Sequence, residues 1–170
     1  MNIFVLDRDP IQAAKYHNDI HLRKMIVEYA QLLSTAHRVL DGDAKADALG
    51  MYKTTHKNHP CGIWLRESSG NYMFLYSLFL ACIEEYSYRF GKDHATKKLV
   101  YALNSVPLSY KRTEITAFVT AVAEDCKVSD AISSYREYYR KHKRVYLSRG
   151  KEKRMDIWTN RDRPEWFDHE

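Results

Sequence analysis

Residues 16–40 constrain the fold more than any other part of the chain, because they form one long amphipathic pattern. At about 100° per residue, their apolar side chains cover roughly a third of a helix circumference. This apolar stripe consists of Leu22, Met25, Ile26, Tyr29, Leu32, Leu33, Ala36 and Leu40. It predicts a long helix with one side in a hydrophobic core. Strand signals are nearly absent elsewhere, so we expect an all-α fold.

Length and composition predict one compact multi-helix domain over residues 1–170. The chain has 170 residues, 45% of them hydrophobic, which is enough for one core but too little for two. Its start lacks the features of a secretory signal, and it contains no run of about 18 apolar residues. We therefore expect a cytoplasmic protein without a membrane span. Three widely spaced cysteines favour reduced thiols over a disulfide framework.

Capping and turn residues divide the rest of the chain into shorter elements. Asp9 followed by Pro10 predicts a helix start. The apolar residues 2–6 before it favour an extended segment or one short N-terminal strand. Apolar spacing predicts further helices over 71–90, 94–104 and 115–126, and the polar stretch 44–60 is interpreted as a surface loop.

Positive charge is concentrated near the C-terminus. Residues 136–154 contain nine Lys or Arg and two Glu, so this segment carries +7 while the whole chain carries +5. We interpret residues 129–149 as a basic, aromatic helix. The tail 151–170 contains Trp158, Trp166 and Phe167, and we expect it to pack back onto the domain.

Cations interleaved with tyrosines are typical of a nucleic-acid-binding surface. Cations neutralise phosphates, and aromatic rings stack on unpaired bases. The alternative is a solvated helix whose tyrosines lie in the core. The predicted nucleic-acid-binding residues are Lys53, His56, Lys57, His59, Arg66, Arg136, Arg140, Lys141, Lys143 and Arg144. We expect DNA as the partner.

A row of ionisable residues lies beside the apolar stripe. His21, Lys24 and Glu28 share one flank of the predicted helix, and His17 joins them if the helix runs back through Asn18 and Asp19. Burial and mutual charge can shift pKa values there. The row predicts a catalytic site, and the alternative is a solvated helix edge with one Lys24–Glu28 pair. The α-amine of Met1 is a further candidate nucleophile, because the unperturbed pKa of an α-amine lies near 7.7–8.0.

Histidine spacing also permits a metal site. His17 and His21 are four residues apart, and His56 and His59 are three apart, so the two pairs could share one ion. The lysines beside the second pair disfavour a cation there. We expect neither metal nor cofactor, and a His-ligated, metal-dependent phosphohydrolase stays as an alternative.

Several short motifs carry a family resemblance. His21 is followed seven residues later by Glu28, and then by HKNHPCGIWLR, by a segment that ends in EEYSYRFG, and by YREYYRKHK. In these motifs the chain resembles the small all-α pyrimidine-dimer DNA glycosylase/AP-lyase family, the endonuclease V type. It is also similar to small phage-encoded proteins that begin MNIFVLD. The resemblance covers roughly the first 90 residues and the YREYYR segment.

The resemblance implies base-excision chemistry. It implies an N-terminal amine that attacks C1′ of a damaged nucleotide, and a carboxylate, here Glu28 beside His21, that stabilises the developing sugar cation. The family exposes its amine by removing the initiator Met, whereas Asn2 disfavours that trimming. Either Met1 or Lys24 is then the nucleophile, or the lyase chemistry is absent and only the scaffold and the DNA-binding groove remain.

We therefore expect a DNA-binding protein with DNA glycosylase/AP-lyase-like activity, located in the host cytoplasm if it is phage-encoded. The alternative from a different class is a non-enzymatic phage accessory protein that binds nucleic acid or a host protein.

Overall fold

The core is built around the two longest helices, α2 (Asp19–Asp41) and α5 (Ser69–Phe90). The computed structural model describes residues 1–168. Large side chains from both helices are fully buried, among them Tyr29, Leu33, Tyr72 and Phe79. The long helix predicted from the apolar stripe is confirmed, and so is the predominantly α-helical class of the fold.

Shorter helices surround this pair. They are α1 (Pro10–Tyr16), α3 (Asp43–Ala48), α4 (Pro60–Leu65), α6 (Val100–Leu103), α7 (Ala131–His142) and α8 (Glu165–Asp168), with 3-10 helices at Ala95–Leu99 and Glu124–Cys126. In the described part of the chain, one antiparallel hairpin pairs β1 (Val145–Ser148) with β2 (Lys151–Arg154). None of the helices in residues 1–168 is long and apolar enough to cross a membrane.

Side-chain caps fix where the main helices begin. The Asp9 carboxylate accepts a hydrogen bond from the backbone N–H of Ile11, so the predicted start of α1 at Pro10 is confirmed. The Asn18 side chain caps α2 in the same way, and the Ser68 hydroxyl caps α5. Each cap satisfies a backbone donor that the first helical turn leaves without a partner.

The N-terminal segment is buried but is not a strand. Ile3, Phe4, Val5 and Leu6 are all at most 5% exposed. Two short-range bonds, from Val5 N–H to the Ile3 carbonyl and from Leu6 N–H to the Phe4 carbonyl, turn the backbone locally. No strand pairs with this segment in residues 1–168, so the optional N-terminal strand is wrong.

Two predicted helical segments are also wrong in part. Residues 115–126 form an irregular segment that ends in one 3-10 turn, and its β-branched residues are poor helix formers. The basic helix predicted over 129–149 ends at His142, where the chain turns into the hairpin. In addition, the stretch predicted as a loop over 44–60 contains most of α3.

The close contact between α5 and the irregular segment depends on a glycine. A Cβ atom added at Gly70 would lie 2.5 Å from the backbone oxygen of Thr113. Next to it, the Asn71 amide donates to Thr116 Oγ1 and its carbonyl oxygen accepts from the Thr116 backbone N–H. The second bond takes up the backbone N–H of Thr116, which a helix would otherwise use.

A buried ionic network joins α5 to the junction between α1 and α2 and to the tail. The Arg89 guanidinium is inaccessible to solvent and donates to Glu85, to Asp19 and to the backbone carbonyls of His17 and Lys15. Arg161 in the tail donates to both oxygens of the Glu85 carboxylate.

The tail packs on the helices through aromatic side chains. The Trp158 indole N–H donates to the Tyr16 carbonyl at 3.0 Å, and Phe167 is fully buried. The last two residues of the tail segment 151–170 lie outside the described residues.

Candidate functional site

The first atom of the chain lies beside a carboxylate of α2. The α-amine nitrogen of Met1 is 3.7 Å from Glu28 Oε2. The Met1 side chain is 4% exposed and the Glu28 side chain 14%, so the pair lies in a recess at the protein surface. Low exposure strengthens the interaction between the two charges, because less water screens them.

Asn2 fixes the chain start in this position. Its amide donates to the Ala121 carbonyl at 2.6 Å, and its carbonyl oxygen accepts from the Tyr135 hydroxyl at 2.9 Å. The Cys61 thiol also lies 3.2 Å from that oxygen. Three distant parts of the chain therefore hold the residue next to the amine.

Three further basic groups surround the amine and Glu28. Lys24 Nζ lies 3.4 Å from Glu28 Oε1, and its side chain is 65% exposed. Burial lowers the pKa of Lys143, the positive charge of Lys24 lowers it further, and Glu28 acts in the opposite direction. Burial also lowers the pKa of His59, and the positive charge of the Met1 amine adds to that effect. We call Met1, Lys24, Glu28, His59 and Lys143 the amine cluster.

His17 and His21 lie behind the amine cluster, in the core. Because a carbonyl only accepts, His17 Nδ1–H donates to the Ala13 carbonyl at 2.7 Å, and His17 Nε2 accepts from the Tyr29 hydroxyl at 2.8 Å. Burial lowers the pKa of His17 to about 4. His21 is 3% exposed and its Nδ1 lies 2.8 Å from the Tyr139 hydroxyl. Burial and then the charge of Lys143 hold the pKa of His21 well below its usual range.

The four-membered row predicted on α2 is therefore divided by depth. Lys24 and Glu28 lie with Met1 where a ligand can reach them. His17 and His21 are neutral, buried hydrogen-bonding groups that support this surface from below. Both act through neighbours, since neither side chain is accessible to solvent.

Most of the cations predicted on the basic helix are bonded to protein groups. Arg136 donates to Asp7 and to the Leu6 carbonyl, and Arg140 pairs with Glu137. The same holds for Lys141, which lies near Asp125 and Glu137, and for Arg144, which donates to the Phe167 carbonyl. Lys143 differs, because its ammonium lies over the Tyr138 ring at 5.0 Å and close to the amine cluster.

The other predicted nucleic-acid-binding residues surround α4. His59 caps α4, because its Nδ1 accepts from the Cys61 N–H. His56 is exposed, has a positive φ of 48° and bonds Thr55. Further out, Lys53 pairs with Asp47 and Arg66 donates to the Lys57 carbonyl. His59 thus lies near the Met1 amine and near His56, since the charges of the amine and of His56 both lower the pKa of His59.

Sequence reasoning missed two parts of this surface. Asn2 and Tyr135 hold the amine in place, but their contact joins residues 133 positions apart, and no local pattern reveals it. The hairpin carries the exposed cations Arg149, Lys151 and Lys153. The dipeptide Arg149-Gly150 was the available signal, because glycine at a tight turn separates two short strands.

A group with metal-ligand character lies elsewhere. Within residues 1–168, the ligand atoms of Asp125, Cys126 and His142 lie within 4.8 Å of one another. Lys141 Nζ is 3.5 Å from the Asp125 carboxylate, and its positive charge opposes a cation there. The histidines predicted as a possible metal set are not part of this group. His17 and His21 are each bonded to a tyrosine hydroxyl instead.

One cavity of the protein does not coincide with the amine cluster. It has a volume of about 640 Å³ and is lined by Phe74, Phe118 and Ile132 among others. The lining includes no member of the amine cluster.

The amine cluster is suited to carbonyl chemistry. A primary amine with a free electron pair can attack an aldehyde carbon and form an imine after loss of water. Glu28 lies where it can accept the proton that the ammonium must lose, and where it can stabilise a cationic intermediate. Lys24 and Lys143 add positive charge that attracts an anionic substrate.

Comparisons with models of protein families, with curated proteins and with solved structures find no match for this chain. The roles of its residues are therefore argued from geometry and chemistry.

Proposed function

We propose that the protein is a DNA lyase of the base-excision type, with the α-amine of Met1 as its nucleophile and Glu28 as its assisting carboxylate. The observation that carries the proposal is the 3.7 Å separation between the Met1 amine and Glu28 in a sheltered recess. The family resemblance of the sequence suggests the same two groups.

The proposed reaction begins at C1′ of a damaged or base-free nucleotide. The amine electron pair forms a bond to C1′, and Glu28 accepts the proton that the nitrogen loses. If a base is present, it leaves with the electrons of its glycosidic bond and takes up a proton. At a base-free site the C1′ hydroxyl takes up a proton and leaves as water instead. The C1′–O4′ bond then opens, O4′ takes up a proton, and the nitrogen electron pair forms the protonated imine. Loss of the C2′ proton expels the 3′ phosphate, and water finally hydrolyses the imine.

The surrounding residues fit this role. Lys24 pairs with Glu28 and Lys143 interacts with the charges of both, and in the proposed complex the two lysines bind backbone phosphates near the reacting sugar. Asn2 holds the amine in place, so less motional freedom is lost when the reaction begins. Lys24 is the second candidate nucleophile, but at 65% exposure it is held less firmly than Met1 at 4%.

The test is covalent trapping on DNA that contains an abasic site. Borohydride reduces an imine to a stable amine, so wild-type protein should become cross-linked to the DNA. Trypsin digestion and mass spectrometry then locate the adduct. We expect it on the peptide that ends at Arg8 rather than at Lys24. An adduct at Lys24 would transfer the nucleophilic role to that side chain.

Glu28→Gln tests the carboxylate. The variant should fold and bind DNA as the wild type does, while its turnover falls by roughly two decades or more, as is typical when a positioned charge is lost. Glu84→Gln, an exposed position on α5, is the matched control. Equal turnover in Glu28→Gln and wild type would remove Glu28 from the mechanism.

The non-enzymatic alternative predicts a different result. An accessory protein would bind DNA, with an affinity that falls as salt concentration rises, but would form no adduct under reducing conditions. The exposed cations of the hairpin favour this non-enzymatic alternative over the metal-dependent phosphohydrolase, because cations can bind DNA without any catalytic group.

A further inference from the structure

The β1–β2 hairpin extends from the wall of the amine cluster. Lys143, a member of that cluster, lies two residues before β1 begins. The base of the hairpin is closed by a 2.7 Å bond from the Met155 N–H to the Arg144 carbonyl. Four residues per strand give a length of about 13 Å, which exceeds the roughly 7.5 Å depth of the minor groove.

The turn of the hairpin is tight. Arg149 has a φ of 52° and Gly150 a φ of 74°, and two left-handed residues in succession are typical of the type I′ turn that matches strand twist. The pairing register runs from Val145 opposite Arg154 to Ser148 opposite Lys151. The hairpin therefore has a defined shape and is not a loose loop.

The two faces of the hairpin differ in chemistry. Successive side chains of a strand point to opposite faces, and opposite residues share a face. One face carries Tyr146 and Ser148 with Lys153 and Lys151. The other face carries Val145 and Leu147 with Arg154 and Glu152. The hairpin thus presents cations and an aromatic ring on one side and aliphatic side chains on the other.

Leu147 is the unusual residue of this element. Its side chain is 75% exposed, although a leucine is more stable away from water. Arg149, Lys151 and Lys153 near the turn form no ion pair within residues 1–168. An exposed apolar side chain on one face of an element, with free cations on the other face and at the turn, is a combination suited to inserting a wedge between stacked base pairs.

We propose that the hairpin is a DNA-binding finger that inserts Leu147 into the base stack next to the nucleotide under attack. Its cations would bind phosphates on both sides of that insertion. The inserted leucine would fill the space that the nucleotide leaves when it turns toward the Met1 amine. This inference rests on the proposed lyase function, because it assigns a task to the hairpin within that reaction.

The finger should affect the reaction rate only when the reacting nucleotide must leave a base stack. Leu147→Ser should lower the rate of borohydride trapping on duplex abasic DNA by about tenfold or more. The rate on the same abasic strand without its complement should change by less than about twofold. Leu108→Ser is the matched control, since Leu108 is 85% exposed and is bonded to Asp41 at the far end of α2. If Leu147→Ser lowered the trapping rate equally on the duplex and on the single strand, the proposed insertion of Leu147 would be overturned.

A binding measurement tests the cations of the finger. The double variant Lys151→Gln, Lys153→Gln should bind duplex DNA more weakly, and its slope of log affinity against log salt should be flatter by up to about 1.8, or 0.9 per phosphate contact. Lys45→Gln combined with Lys111→Gln removes two exposed charges elsewhere and should leave the slope unchanged. A hairpin variant that keeps the wild-type slope would show that these lysines do not contact DNA.

A third readout separates the finger from the lyase chemistry. A duplex with an inert abasic analogue and a neighbouring 2-aminopurine should become more fluorescent with wild-type protein, because the fluorescent base loses its stacking partner. Leu147→Ser should bind without that increase. If wild type forms no adduct on true abasic DNA but still raises the fluorescence, the lyase proposal fails and the finger stands. If neither the wild-type protein nor Leu147→Ser raises the fluorescence, the proposed role of the finger is wrong.

Discussion

His21 shows how one side chain can look catalytic in the sequence and act structurally in the fold. Its ring lies 4.7 Å from the Phe4 ring and bonds the Tyr139 hydroxyl. We expect His21→Ala to lower the free energy of unfolding by about 2–3 kcal/mol, because the change leaves a cavity and an unpartnered hydroxyl. Urea denaturation measures this. Lys24→Ala, on the same helix, should lower the free energy of unfolding by less than about 0.5 kcal/mol. Similar losses in both variants would contradict the structural role of His21.

His17 should make stability depend on pH. Burial lowers its pKa to about 4 in the folded protein, while the unfolded chain has a pKa near 6.5. Between these values the unfolded state binds more protons, so the contribution of neutral His17 is complete above about pH 6.5 and is lost as the pH falls toward 4. The full loss is about 3 kcal/mol.

Urea denaturation at pH 7.5, 6 and 5 measures that effect. His17→Gln removes the titrating group and should flatten the decline of the unfolding free energy over this range. His142→Gln, at an exposed position, should retain the wild-type decline. The role of His17 would be refuted if the unfolding free energy of His17→Gln declined with falling pH as steeply as that of His142→Gln.

The contact between Lys24 and Glu28 in the candidate site could be predicted from the sequence for a physical reason. Lys24 and Glu28 are four positions apart on a helix, and that spacing alone makes them neighbours. The contact between Met1 and Glu28 has no such local origin. It depends on the bonds from Asn2 to Ala121 and Tyr135, which are set by tertiary packing.

At the level of elements, α7 and the hairpin divide the basic segment into two functions. The cations of α7 mostly bond protein groups, and Lys143 faces the amine cluster. We expect Lys143→Gln to weaken DNA binding and to flatten the salt slope by about 0.9. Arg140→Gln should instead reduce stability, because it loses its bonds to Glu137 and to the Trp166 carbonyl. Salt titrations of DNA affinity, combined with thermal melts, separate the two effects. The assignment fails if Arg140→Gln changes the slope and Lys143→Gln does not.

Periodicity located the long elements and failed at the irregular ones. The sequences of α2 and α5 contain capping residues and an apolar face, so local and tertiary preferences agree. In residues 115–126 the apolar spacing fits a helix, but β-branched side chains and the contacts of Thr116 with Asn71 favour irregular backbone. Charge composition alone did not distinguish the end of α7 from the hairpin that follows, since both are rich in lysine and arginine.

For the molecule as a whole, the Arg89 network links the junction between α1 and α2, the helix α5 and the tail. Burial raises the pKa of Glu85, but the bonds donated by Arg161 and Arg89 outweigh that effect and hold it below its usual value. Arg89→Leu would leave Glu85 and Asp19 buried with fewer partners. We expect it to lower the free energy of unfolding by about 3–5 kcal/mol, measured by urea denaturation.

Arg112→Leu is the matched control for that change. Arg112 also pairs with a glutamate, but both side chains are more than half exposed, so the loss should stay below about 1 kcal/mol. An Arg89→Leu protein as stable as this control would show that the network contributes little.

The anchoring of Asn2 has a consequence for the order of events during synthesis. Its partners Ala121 and Tyr135 follow it by more than a hundred residues, so the ribosome has made most of the chain before the amine can be held. Until then the bonds that position Asn2 and the Met1 amine cannot form. Shortened products that stop before residue 121 would carry the same amine and the same glutamate without the geometry that brings them together.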